Sequence, residues 1–200
     1  METENLIKAL AADATAPVTP HLWRRLFLGV MASGLLMAIF WGPRSGWSEA
    51  ILAPEVALKQ LLPLGLSGVL LWSLTKPLEA RRRPLAGAVL LLSLCAGLWG
   101  IALYEGGNLW GRTWWQCLLS IPALALPIGG VLFAGLRHRI EYDSTRSGFV
   151  AGLLAGALAA SVYAIHCDDD GPAFYLLWYT AAILACGLAG RLAGRRLLYP

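Results

Sequence analysis

The chain has 200 residues, 58% of them hydrophobic and only 14% charged. A soluble domain carries about a quarter charged residues, so there is too little polar surface here to cover an ordinary core, and lipid is the expected solvent. The formal net charge of +4 is not read as a nucleic-acid signal, because basic residues of membrane proteins collect in cytoplasmic loops.

Residues 1–22 precede any long apolar run and carry Glu2, Glu4, Lys8 and Asp13, a pattern unlike a cleavable signal peptide. Thr3 to Asp13 reads as a short helix with Leu6, Ile7 and Leu10 on one face, followed by an extended Ala16-Pro17-Val18-Thr19-Pro20. A helix of about eleven residues is marginal alone in water. The segment is either a frayed tail or a helix that orders in the groove of a partner.

Residues 23–200 form the transmembrane domain. Six stretches reach the length of about 20 apolar residues needed to cross a bilayer, near 24–42, 56–75, 85–104, 116–136, 148–167 and 174–194. The expected fold is therefore an all-α membrane protein, a six-transmembrane-helix bundle. The second span is the weakest, with Lys59 near its start and Pro63 one turn on; Lys59 either snorkels to the interface or pairs inside the bundle. Pro122 and Pro127 are expected to kink the fourth span, where neighbouring helices can satisfy the freed backbone groups.

Orientation follows from the loops. One side holds Lys8, Arg24, Arg25, Lys76, Arg81, Arg82, Arg83, Arg137, Arg139, Arg146, Arg191, Arg195 and Arg196, against Arg44 and Arg112 on the other. This asymmetry puts both termini in the cytoplasm. The acidic run Asp168-Asp169-Asp170 then faces outward.

The fifth span is the most informative. Gly148, Gly152, Gly156 and Ala160 recur at every fourth position, a spacing that lets another helix approach closely. It ends in Tyr163-Ala164-Ile165-His166-Cys167, ahead of the three aspartates. Cys117, at the start of the fourth span, falls at similar depth to Cys167, at the outer membrane surface. The two can meet if their spans are neighbours, as a disulfide or, with His166 and Asp168, as ligands of a soft or borderline metal. Cys95 and Cys186 lie mid-span and read as small packing residues. Trp110, Trp114, Trp115, Tyr175, Trp178 and Tyr179 read as an outer aromatic belt. There is no HExxH, P-loop or GxSxG motif, and no span has an acidic residue at its centre, so nothing points to an enzyme or a proton-coupled transporter.

The chain resembles the NrsF family throughout its length. The residues that carry the likeness are Leu6-Ile7, Leu10, Asp13, Pro17-Val18, Trp114, Cys117, Ile121-Pro122, Leu126-Pro127, the run Ala151 to Cys167, Phe174, Trp178-Tyr179, and Gly190 to Leu198. The resemblance implies a six-span bacterial inner-membrane anti-sigma factor that holds an extracytoplasmic-function sigma factor inactive. It also implies that two cysteines respond to heavy-metal or oxidative stress, and by position these are Cys117 and Cys167, with His166 beside them. Leu6, Ile7 and Leu10 become the candidate sigma-binding residues. The expected partners are the sigma factor and the bilayer, with no direct nucleic-acid contact, no catalysis and no cofactor beyond a metal ion acting transiently as signal. The acidic run departs from the family pattern. A reading of another class, a small cation transporter or channel with an acidic outer mouth, remains as the alternative.

Overall fold

Proline and glycine punctuate the apolar runs and set where the helices start and stop. In the computed structural model, which describes residues 21–75, 97, 100, 106, 108–137 and 144–198, every regular element is an α-helix. Helix α1 spans His21–Phe40, α2 is a single turn at Trp47–Ala50, and α3 spans Pro54–Thr75. Helix α4 spans Trp114–Leu136, α5 Ser144–Tyr163 and α6 Pro172–Leu197.

Gly42 closes α1: with φ at +71°, it lets the amides of Trp41 and Gly42 both reach the Met37 carbonyl at 2.9 Å. Helices α3 and α6 each begin on a proline, whose missing N–H is one the first turn does not need. Arg195 and Arg196 end α6, where cations complement the helix dipole.

Among the described residues five helices are long and apolar enough to cross a membrane: Trp23–Phe40, Pro54–Leu74, Trp114–Leu136, Ser144–Tyr163 and Pro172–Leu197. The sixth expected span, 85–104, lies outside the described residues apart from Gly97 and Gly100, which are helical. Lys59 and Pro63 do not break α3, and α4 continues through Pro122 and Pro127. The fifth span differs most from expectation, running Ser144–Tyr163 instead of 148–167. Its end is set by backbone geometry, because the amides of His166 and Cys167 both turn back to the Tyr163 carbonyl, at 2.9 and 3.1 Å.

Helix α5 is the axis of the bundle. It touches α1, α3, α4 and α6, and 67% of its span is buried, against 22% for α1. Its composition explains this position, since a helix of small residues can be surrounded closely on several sides. Helix α6 is its most intimate neighbour. A methyl group on Gly148 would come within 2.5 Å of the Gly190 carbonyl oxygen, and one on Gly152 would collide with the Cys186 carbonyl. One on Gly156 would reach 2.8 Å from Cys186 Cβ. Gly190 and Gly194 return the contact onto Gly148 and Gly152, so the two backbones meet directly over about two turns, and at Gly156 the Cys186 side chain fills the seam.

Candidate functional site

One end of the bundle gathers the chemistry. There α1 finishes, α3, α4 and α6 begin, and α5 gives way to the turn that carries His166 and Cys167. The Cys117 and Cys167 sulfurs lie 4.0 Å apart, both free thiols. A disulfide needs about 2.05 Å, so the thiols are in contact and one small displacement from a bond. Both are buried within the protein: Cys117 is 0% exposed and Cys167 3%. Hydropathy located their depth along the helices but not the layer of polar groups folded over them.

Around the thiols the aromatic residues sort into two sets. Tyr163 and Tyr179 are buried beside the pair with ring centroids 6.3 Å apart, and Tyr175 is buried 6.4 Å from Tyr179. Tyr175 and Tyr179 are therefore core residues and not members of an interfacial belt. Trp110, Trp114 and Trp178 form the outer set, tied down by a hydrogen bond from Trp178 Nε1 to the Leu109 carbonyl at 2.8 Å.

The polar layer over the thiols is built from the acidic run. Lys59, its side chain fully buried, donates to the carbonyl of Cys167 at 2.7 Å and of Asp169 at 3.0 Å, and to Asp170 Oδ1 at 3.0 Å. Arg44, from the turn after α1, reaches Asp170 Oδ2 at 2.7 Å and the Cys167 carbonyl at 3.3 Å. Of the two readings of Lys59, pairing inside the bundle is the one observed. A buried ammonium without such partners would be costly enough to favour unfolding or deprotonation. The remaining acids tie down α4. Asp169 Oδ2 accepts from the amides of Arg112 and Thr113 at 3.1 Å and from Thr113 Oγ1 at 2.6 Å, placing a carboxylate at the positive end of the helix dipole. Asp168 pairs with Arg112 at 3.1 Å on the exposed rim. Each acid of the run is thus paired within the protein: Asp170 with Lys59 and Arg44, Asp169 with Arg112 and Thr113, and Asp168 with Arg112.

His166 is engaged elsewhere: its Nδ1 lies 2.9 Å from the Gly42 carbonyl, and its ring is 5.6 Å from that of Tyr163. The quartet of Cys117, Cys167, His166 and Asp168 therefore does not converge, and among the described residues no three of His, Cys, Asp or Glu are placed to hold a metal ion. The reason is local. With α5 ending at Tyr163, His166 leans toward the end of α1 while Asp168 is drawn out to Arg112.

A cleft of about 480 Å³ opens beside the pair, lined by Arg44, Thr113, Gln116, His166, Cys167 and Asp168 among others. The Cys167 thiol is held below its ordinary pKa, first by its hydrogen bond with Cys117 and then by the Lys59 ammonium, both acting against the opposing effect of burial. Cys186 sits apart, packed against Gly156 in the α5–α6 seam. Cys95 and the segment with Leu6, Ile7 and Leu10 lie outside the described residues. Sequence reasoning missed Arg44, Tyr163 and Thr113 as parts of the site, and it placed Asp169 and Asp170 beside the thiols without their partners. Only the excess of acids after Cys167 hinted that something there needed pairing.

Over residues 9–199 the chain matches the family NrsF, described as "Negative regulator of sigma F". It is 33% identical over 212 aligned positions to a protein of Caulobacter vibrioides (strain NA1000 / CB15N) named "Anti-sigma-F factor NrsF", covering 99% of both chains. It is 32% identical over 214 positions, again 99% of both, to one of Azospira oryzae (strain ATCC BAA-33 / DSM 13638 / PS) named "Probable anti-sigma-F factor NrsF". No solved structure matches.

Proposed function

This chain belongs to the NrsF family of negative regulators of sigma F, and we propose on that premise that it is an inner-membrane anti-sigma factor controlled by a thiol pair. It holds an extracytoplasmic-function sigma factor inactive on the cytoplasmic side, through the N-terminal segment with Leu6, Ile7 and Leu10. Both termini are cytoplasmic, and the Cys117–Cys167 pair faces the outer side. Oxidative stress closes the pair into a disulfide, and the resulting change in packing loosens the hold on the sigma factor. Family membership carries the anti-sigma reading. The single observation that carries the sensing reading is the 4.0 Å separation of the two free thiols.

A ligand need only favour one packing over the other to signal, and the same holds for a covalent bond. The pair sits where such a bias would spread: Cys117 belongs to α4, and Cys167 joins α5 to α6 and is tied through Lys59 to α3. Direct capture of a metal by Cys117, Cys167, His166 and Asp168 together has no support in the geometry, so oxidation is the favoured chemistry.

Co-purification tests the first part. The chain in bacterial membranes should retain a sigma factor under reducing conditions and release it after mild oxidation. Release that persists in Cys117→Ser and Cys167→Ser would refute the sensing role. Release by a thiol-binding metal with no disulfide formed would replace oxidation by metal capture.

A further inference from the structure

The two sulfurs are neighbours but have different surroundings. Cys117 is held inside helix α4, has no accessible surface and does not line the cleft. Cys167 lies in the turn after α5, lines the cleft, and has its own carbonyl 2.7 Å from the buried Lys59 ammonium. The carboxylate that neutralises Lys59 is shared: Asp170 is bonded to Arg44 as well. Lys59 and Arg44 both bond the Cys167 carbonyl, and a cation beside a cysteine favours its reacting as thiolate.

We propose that the pair reacts in a fixed order: Cys167 meets a small hydroperoxide entering through the cleft, Cys117 resolves the oxidised sulfur into a disulfide, and Lys59 is the positioning residue for Cys167. This rests on the reading of the pair as the sensor. In the first step the Cys167 thiolate attacks the terminal peroxide oxygen. The S–O bond forms as the O–O bond breaks, and the alkoxide or hydroxide that leaves takes a proton from water. In the second step the Cys117 sulfur attacks the Cys167 sulfenic acid. The S–S bond forms, the S–O bond breaks, and hydroxide leaves as water with the proton of the Cys117 thiol. Two thiols lose two electrons, and the peroxide gains them. Cys117 suits only the second part, because its sulfur faces Cys167 at 4.0 Å and not the cleft. Lys59 holds the Cys167 backbone through the 2.7 Å hydrogen bond, so the sulfur stays between cleft and partner.

The test uses the full chain in membrane vesicles, hydrogen peroxide as oxidant, and dimedone to trap sulfenic acids, read by mass spectrometry. In Cys117→Ser, Cys167 should be trapped readily. In Cys167→Ser, trapping at Cys117 should be slower by about tenfold or more, the effect of one unit in thiol pKa on the thiolate fraction. Adding Lys59→Gln to Cys117→Ser keeps a hydrogen-bond donor but removes the charge, and should slow trapping by a similar factor. Lys59→Arg should restore most of the rate, which loss of a purely structural contact would not explain. Equal trapping in the two serine variants, or an unchanged rate in Lys59→Gln, overturns the fixed order while leaving a bridging parent protein as sensor. A parent protein that forms no disulfide with peroxide overturns the sensor reading and the order together. Should Lys59→Gln fail to accumulate, the comparison of the two serine variants still decides.

Discussion

Lys59 shows how little a single residue's neighbours in sequence reveal about its role. It sits one turn from Pro63 in an otherwise apolar helix, a position equally compatible with snorkelling or with pairing. Its acceptors are the Cys167 and Asp169 carbonyls and Asp170, which lie 108 to 111 positions away, so no local pattern could choose between the two. The energetics give a direct expectation. Asp170→Ala removes the only carboxylate bonded to Lys59 among the described residues and strands a buried cation, which costs about 3 kcal/mol when a buried pair is broken from one side. Thermal unfolding in detergent should show this loss, and Lys59→Met combined with Asp170→Ala should recover part of it. Equal stability of Asp170→Ala and parent would mean that the two backbone carbonyls satisfy Lys59 alone. The thiols were easier to read. Each lies near a helix end on the same side, so their shared depth followed from hydropathy, whereas their burial depends on a polar cap assembled from four separate elements.

Among the elements, α5 and α6 define the fold most sharply. The recurring small residues of α5 were visible in sequence as a face for close approach. What was not visible is the partner: Cys186, Gly190 and Gly194 of α6 recur at the same four-residue interval and meet Gly148, Gly152 and Gly156, but spacing alone does not say which two faces pair. Gly152→Leu should destabilise the protein by about 1–3 kcal/mol or more, since overpacking here meets backbone that has no room to shift. Gly68→Ala is the control: it lies in α3 with nothing within 4 Å of the added methyl, so the change should fall within about 1 kcal/mol of the parent or stabilise it. Melting temperatures of the two variants, measured side by side, check the contrast. Span boundaries were less legible than spans. Hydropathy placed the fifth span four residues late because Ser144, Thr145, Arg146 and Ser147 look like loop, yet Ser147 is buried inside the helix.

At the scale of the whole molecule, the proposed account joins a thiol pair at one end of the bundle to a sigma-binding segment at the other. Its topology rests on the asymmetry of basic loops. Reporter fusions at Met1 and Pro200 should be active only for a cytoplasmic location, and a periplasmic signal from either would reverse the assignment. Deleting residues 2–15 touches none of the membrane helices, so insertion should be unchanged while the sigma factor is lost. Retention by the truncated chain would move the binding site to the basic loops at 76–84 and 137–147.

The most direct test of the central claim is the amount of sigma factor held on membranes containing this chain, measured before and after a brief oxidation. The account predicts that the reduced parent retains the sigma factor and the oxidised parent releases it. It also predicts that Cys117→Ser and Cys167→Ser retain it under both conditions. A parent that holds no sigma factor when reduced, or a serine variant that releases it on oxidation as the parent does, would contradict the account.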